Sequence, residues 1–194
     1  TGLTDAVQKQ GAGLTSASNA YAALQTGARI TPSKLSLGES DAFPTRTKIL
    51  VLRNGGPFKQ TFTVRHLPAL ALGGTIQVPA LSTAAATVTV NGVATTSTEG
   101  TTLTLNPYST AELTVTITAP TAPALGQYGG YITLTSDTSV NLTVPYSGFI
   151  GDYQKIPVLT NARFGTYVAD FPILVDPVND YTDGSYLWEE SEFP

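Results

Sequence analysis

The sequence predicts an all-β chain: an antiparallel β-sandwich with a short N-terminal helix and an irregular acidic C-terminal tail. Three observations carry this expectation. Short stretches alternate apolar and polar residues with period two, the mark of a strand with one buried face. Turn signals rich in Gly, Pro, Asn and Asp separate them at sandwich-like spacing. No strand–helix–strand pattern of a doubly wound parallel sheet occurs. The pattern is clearest from Tyr128 to Gly151: Ile132 and Leu134 face one way, and Tyr131, Thr133 and Thr135 the other. After a turn at Ser136–Ser139, Val140, Leu142, Val144 and Tyr146 share a face, with Asn141, Thr143 and Pro145 opposite.

In chain order, residues 1–13 read as a polar, flexible lead-in framed by Gly11 and Gly13. Leu14, Ala17, Tyr21 and Leu24 then fall at helical spacing, with Ala20 and Ala23 beside them. Thr15 or Ser16 is placed to cap this helix, and Gly27 stands where a left-handed stop belongs. A helix of about three turns is too short to be stable alone, so its apolar stripe must dock on something. Alternation from Lys34 to Leu37, after Pro32, opens the β region. Arg46–Asn54 is apolar on both faces at Ile49–Leu52 and reads as a central strand. Asn54-Gly55-Gly56-Pro57 is a turn, and Phe58–His66 a strand with Phe62, Val64 and His66 inward. Pro68–Gly74 reads as a connection. Thr87–Val90 and Val93–Thr96 flank Asn91-Gly92, the strongest short hairpin signal. Leu103 and Leu105 mark a short strand ended by Pro107. From Glu112 to Thr118, Leu113, Val115 and Ile117 point in and Thr114, Thr116 and Thr118 out. Pro120 and Pro123 bracket a stiff loop. The segments around Pro157 and Pro172 are apolar but interrupted by proline, which suits edge pairing or a surface strap. Domain organisation is accordingly 1–30 (N-terminal segment with the helix), 31–151 (sandwich) and 152–194 (irregular acidic extension).

Two segments beside the hairpin carry a family resemblance. YGGYITLTS followed by LTVPYSGFIGDY looks like the end of the fibronectin type III-like sandwich that follows the catalytic domain of secreted, especially fungal, subtilisin-like serine proteases. TPSKLSLGES (Thr31–Ser40) resembles the opening strand of that sandwich, and QKQGAGLTSASNAYAAL (Gln8–Leu24) is similar to the last helix of the catalytic domain. The resemblance implies a fibronectin type III-like fold. It implies no activity, because the family's Gly-Thr-Ser-Met-Ala nucleophile run, expected ahead of Gln8, is absent from the sequence.

Composition narrows the function classes. The chain has no cysteine and no methionine, so it has no disulfide framework or thiolate chemistry. Without methionine, Thr1 follows no intact initiator, and a processed product or cut fragment is expected. Charged residues make up only 12% of the chain, which suits a secreted β protein. Residues 1–151 hold eight Lys/Arg and six Asp/Glu, net +2, whereas residues 152–194 hold two and eight, net −6. A near-neutral body with an acidic tail does not suit nucleic acid, whose phosphates need a basic patch. No apolar run reaches the roughly 20 residues of a membrane helix.

Candidate chemistry is sparse. His66 is the sole histidine; without a nucleophile elbow near it, it reads as a packed or hydrogen-bonded core residue rather than part of a triad. Zero cysteines and one histidine nearly exclude zinc. Asp176, Asn179, Asp180 and Asp183 offer oxygen in one loop, 176–184, but their spacing is not that of an EF-hand, and an ordinary polar turn is the expectation. No metal, cofactor or catalytic residue is therefore assigned. Asn141-Leu142-Thr143 is an N-glycosylation sequon, with Asn141 on the outward face. Leu14, Tyr21 and Leu24 at one end, and Trp188 and Phe193 among glutamates at the other, are apolar groups in need of a neighbour. They are the candidate partner-binding residues.

The expected function is a non-catalytic accessory or structural subunit of a secreted enzyme, within a hetero-oligomer. Its partner would be a subtilisin-like protease domain, as the resemblance implies, or an unrelated secreted enzyme. Some fungal laccases are similar in carrying a small companion chain without copper ligands, and this chain has none. The alternative is a cell-wall carbohydrate-binding module using the aromatics of the C-terminal half.

Overall fold

The computed structural model describes residues 2–12, 14, 16–40, 45–74, 79–152, 154, 160–164 and 167–173. Two units follow one another along the chain, Thr1–Asp152 and Tyr153–Pro194. The first opens with helices α1 (Val7–Gln10) and α2 (Ala17–Thr26). Twelve strands follow: β1 (Ala28–Thr31), β2 (Leu35–Ser40), β3 (Thr45–Asn54), β4 (Gln60–Pro68), β5 (Ala71–Gly74), β6 (Pro79–Ser82), β7 (Thr87–Val90), β8 (Val93–Thr95), β9 (Thr101–Leu105), β10 (Thr110–Thr118), β11 (Gly126–Ser136) and β12 (Asn141–Ile150).

They form two sheets, β1-β3-β10-β7-β8 and β2-β12-β11-β4-β9, with β5 pairing to β11 and β6. The ladders are antiparallel except that between β2 and β12, which is parallel. Leu50, Leu52, Val88, Val90, Leu113, Val115 and Ile117 of one sheet meet Phe62, Val64, Ile132, Leu134, Val144 and Tyr146 of the other in a single buried cluster. Each such side chain contributes about 1.5–3 kcal/mol on burial, which is why this unit holds together without a disulfide.

Local chemistry explains the joints. Asn91 and Gly92 have φ 50° and 80°, the left-handed pair that a two-residue hairpin needs to match strand twist. Across β11 and β12, Tyr128 stands opposite Gly148 and Gly130 opposite Tyr146. A Cβ on Gly148 would come within 2.6 Å of the Tyr128 ring, and one on Gly130 within 2.7 Å of the Tyr146 hydroxyl. Each tyrosine thus lies over the bare backbone of its partner glycine, and both rings are buried.

Three expectations are corrected. The described part of the lead-in, residues 2–12, is not loose. Thr4 bridges to Ala69, with its N–H donating to Pro68 O (3.0 Å) and its carbonyl accepting from Leu70 N–H (2.9 Å). Ala6 and Val7 are buried, and Val7 fills the space left by Gly129, where a Cβ would come within 2.9 Å of it. Two apolar residues are too few to show a period, so only the matching gap in β11 reveals them. Pro68–Gly74 is not merely a connection, because Ala71–Gly74 pairs with β6. Finally, β3 is central in its pairing, but only one of its faces is dry: Leu50 and Leu52 are buried while Ile49 is 52% exposed, as befits an antiparallel sheet facing water on one side.

The second unit, described by itself, contains an antiparallel hairpin of β13 (Thr160–Phe164) and β14 (Tyr167–Ile173), with Pro172 opposite Asn161. This is one regular element within a stretch read as irregular. Trp188, Phe193 and the 176–184 loop lie outside the described residues.

Candidate functional site

Helix α2 is built as its sequence specifies. The Ser16 hydroxyl accepts from Asn19 N–H at 3.2 Å, and Gly27 closes the helix at φ 65° with its N–H toward Ala23 O and Leu24 O. These are the N-cap and left-handed C-terminal positions expected of serine and glycine. Its docking leaves the large side chains of the apolar stripe exposed. The stripe of Leu14, Ala17, Tyr21 and Leu24 does not pack on the sandwich; the helix rests on Ala22 and Ala23 instead. Leu14 is 100% exposed, Tyr21 64% and Leu24 77%. The reason is a close backbone approach at the helix end. A Cβ on Gly27 would lie 2.6 Å from Gly55, and one on Gly56 would lie 2.5 Å from Thr26 O. With the helix end pressed on this glycine pair, only small residues fit beneath it.

Beneath that contact sits a buried polar node that alternation alone did not flag. Asn54 and Gln60 are 0% and 2% exposed. Asn54 Nδ2 donates to Phe58 O (2.7 Å) and Asn106 O (3.0 Å), while its Oδ1 accepts from Gly56 N–H (3.0 Å) and Gln60 Nε2 (2.7 Å). Gln60 Nε2 also donates to Thr26 O at 2.9 Å. The helix end, the 54–59 loop and the 106–109 turn are therefore one hydrogen-bonded assembly. Two large apolar side chains project from it: Phe58 is 77% and Tyr108 68% exposed. Sequence reasoning passed over both. The available signal was polar Asn54 and Gln60 at inward positions of their strands, on either side of a Gly-Gly-Pro turn.

Asn141 opens β12 and is exposed, as its alternation predicts. Its backbone is held by the helix: Asn19 Nδ2 donates to Asn141 O (3.1 Å), and Asn141 N–H donates to Asn19 Oδ1 (3.3 Å). The sequon thus adjoins the first turn of α2, whereas the Asn54 node adjoins its last.

His66 is 3% exposed, and its Nε2 shares a 2.8 Å hydrogen bond with the Tyr146 hydroxyl. Burial pushes the imidazole down to about 4 and raises the Tyr146 phenol, with Tyr128 adding to the rise. Both groups stay neutral at physiological pH, and the pair reads as a satisfied core contact. Among the described residues no three acidic or histidine side chains group as a metal site, and no helix is long and apolar enough to cross a membrane.

Comparison with known proteins fixes the family. The Fn3-like domain family, fn3_5, matches residues 35–147. The chain belongs to the Fn3-like domain family. Such sandwiches are typically non-catalytic, a class compatible with an accessory role. No curated protein matches the chain. Among solved structures, this Fn3-like chain is similar to an ASH/PapD-like domain of human CEP192, with 14% identity, TM-score 0.50, and coverage of 65% of this chain and 86% of that one. It also aligns with the CsuC–CsuE chaperone–tip adhesion subunit complex of Acinetobacter baumannii, at 8% identity and TM-score 0.39, over 63% of this chain and 51% of that one. The secreted serine protease VesC from Vibrio cholerae aligns at 14% identity and TM-score 0.36, over 75% of this chain and 26% of that one. At 14% identity the likeness to the CEP192 domain is one of fold alone.

Proposed function

We propose that this Fn3-like chain is a non-catalytic accessory subunit that binds and stabilises another secreted polypeptide. A subtilisin-like protease domain and the large subunit of an oxidase such as laccase are the two candidates for that companion. One observation carries the reading: α2 is capped at both ends and seated on small alanines, yet it turns Tyr21 and Leu24 into solvent. Large exposed apolar groups on an ordered helix mark interaction surfaces. Secretion and an N-glycan on Asn141 belong to the same reading.

The test is purification of the full chain from its natural source under native conditions. A companion chain should co-elute and be retained in native mass measurement, and Tyr21→Glu with Leu24→Glu should release it. A strictly monomeric protein would end the proposal. Retention on insoluble glucan or chitin without any companion chain would replace it with carbohydrate binding.

A further inference from the structure

We infer that the companion-binding surface extends from α2 onto the 54–59 loop and the 106–109 turn, and that it fits a protein surface presenting carboxylates around an apolar centre. This rests on the accessory-subunit reading and adds where the partner sits and what chemistry it brings.

The apolar centre is Phe58 and Tyr108, on segments bonded to the end of the helix that exposes Tyr21 and Leu24. The three segments are joined by direct bonds: Gly55 N–H donates to Gly27 O (2.9 Å), Tyr108 N–H to Gly56 O (3.2 Å) and Asn54 N–H to Ser109 O (2.9 Å). With Asn54 and Gln60 beneath, the surface is preformed, so little ordering entropy is lost when it is covered.

Tyr108 supplies a second observation. Ser109 N–H returns to Asn106 O (3.3 Å), which makes Asn106–Ser109 a turn with Pro107 and Tyr108 at its centre. Tyr108 there has φ 56°, the left-handed region in which glycine or asparagine is at ease and a bulky ring is not. Tyr108 is held in that conformation with most of its surface left to solvent.

Charge sets the partner's chemistry. Arg29 lies two residues past the C-cap Gly27, Arg53 immediately precedes Asn54, and Lys59 follows Phe58. Arg29 and Arg53 are directly opposed across β1 and β3, where like charges repel. All three are exposed, and none forms an ion pair with a described residue. Two acids stand at this end: Asp137 accepts from Thr61 N–H at 3.2 Å, and exposed Glu112 lies on β10 two residues along from Thr110, the partner of Arg53, so the cations outnumber the acids. An apolar centre with three cations nearby that pair with no described acid complements carboxylates and steers an acidic partner toward it.

The test uses the co-eluting companion chain, isolated and immobilised, against the full-length protein and two variants. Tyr108→Gly relieves the left-handed strain, so its Tm should hold or rise while affinity falls by about tenfold or more, as for an aromatic anchor. Arg29→Glu/Arg53→Glu/Lys59→Glu should weaken binding at low salt and flatten its salt dependence, whereas Lys34→Glu, a single charge reversal away from this surface, should do neither. Should both variants bind like the parent while Tyr21→Glu/Leu24→Glu releases the companion, this surface is wrong and the accessory reading stands. Binding lost to neither set overturns both. Self-association through this face in place of a companion would overturn the acidic partner.

Discussion

Two residues account for much of what this unit hides, and both yield measurable expectations. His66 is buried, with its imidazole pushed down to about 4 from an ordinary value near 6.5. Between those values the unfolded chain binds a proton that the folded chain refuses, so stability is full above about pH 6.5 and falls on acidification toward about pH 4, by at most about 1.4 kcal/mol per pH unit. His66→Gln, which keeps a nitrogen for the Tyr146 hydroxyl, should flatten this part of a Tm-versus-pH profile. Asn54 is the second. Removing its side chain leaves Gly56 N–H and the Phe58 and Asn106 carbonyls short of partners, and each buried orphan costs about 1–3 kcal/mol. Asn54→Ala should therefore lose roughly 3 kcal/mol or more in urea unfolding. Asn54→Asp should lose at least as much, and more above the carboxylate range, because an anion would face two carbonyl oxygens. The structural role of His66 was legible from its place beside Phe62 and Val64. That of Asn54 was not, because it ties its own turn to Asn106, 52 residues away in sequence.

At the scale of the element, what was legible was whatever a short window contains. The Asn91-Gly92 hairpin, the caps of α2 and the alternation of β10 follow from adjacent residues. Strands β5 and β6 do not: Ala71–Gly74 is glycine-bearing and short, and it becomes a strand only by pairing with Pro79–Ser82 and touching Gln127 of β11. The rotation of α2 was likewise hidden, since the Gly55-Gly56 contact that sets it comes from the far side of β3. The β11–β12 pair shows how an element reads two ways. Its glycines weaken a strand by intrinsic preference, yet here they are where tyrosine rings lie. Gly148→Ala would drive a methyl to 2.6 Å from the buried Tyr128 ring. Relieving that overlap should cost about 1–3 kcal/mol, measurable as a lower urea midpoint with an unchanged slope.

At the scale of the molecule, α2 has two ends with different neighbours, and that divides its surface. Its first turn is tied through Asn19 to the sequon residue Asn141, and its last turn accepts at Thr26 O from Gln60, which also bonds Asn54 beneath the Phe58–Tyr108 surface. A glycan is bulky and hydrated, so one on Asn141 would occupy the solvent above the helix start, near Leu14. A partner can then sit only on the other end, over Leu24. Protein secreted from a eukaryotic host should lose mass on treatment with peptide N-glycosidase, and Asn141→Gln should abolish that loss without releasing the companion chain. Leu24→Ala should weaken the companion by about tenfold, the scale of a buried anchor, and Leu14→Ala hardly at all. Equal loss from both leucines would mean that the interface runs across the sequon, and sugar and partner would then compete for one end of the helix.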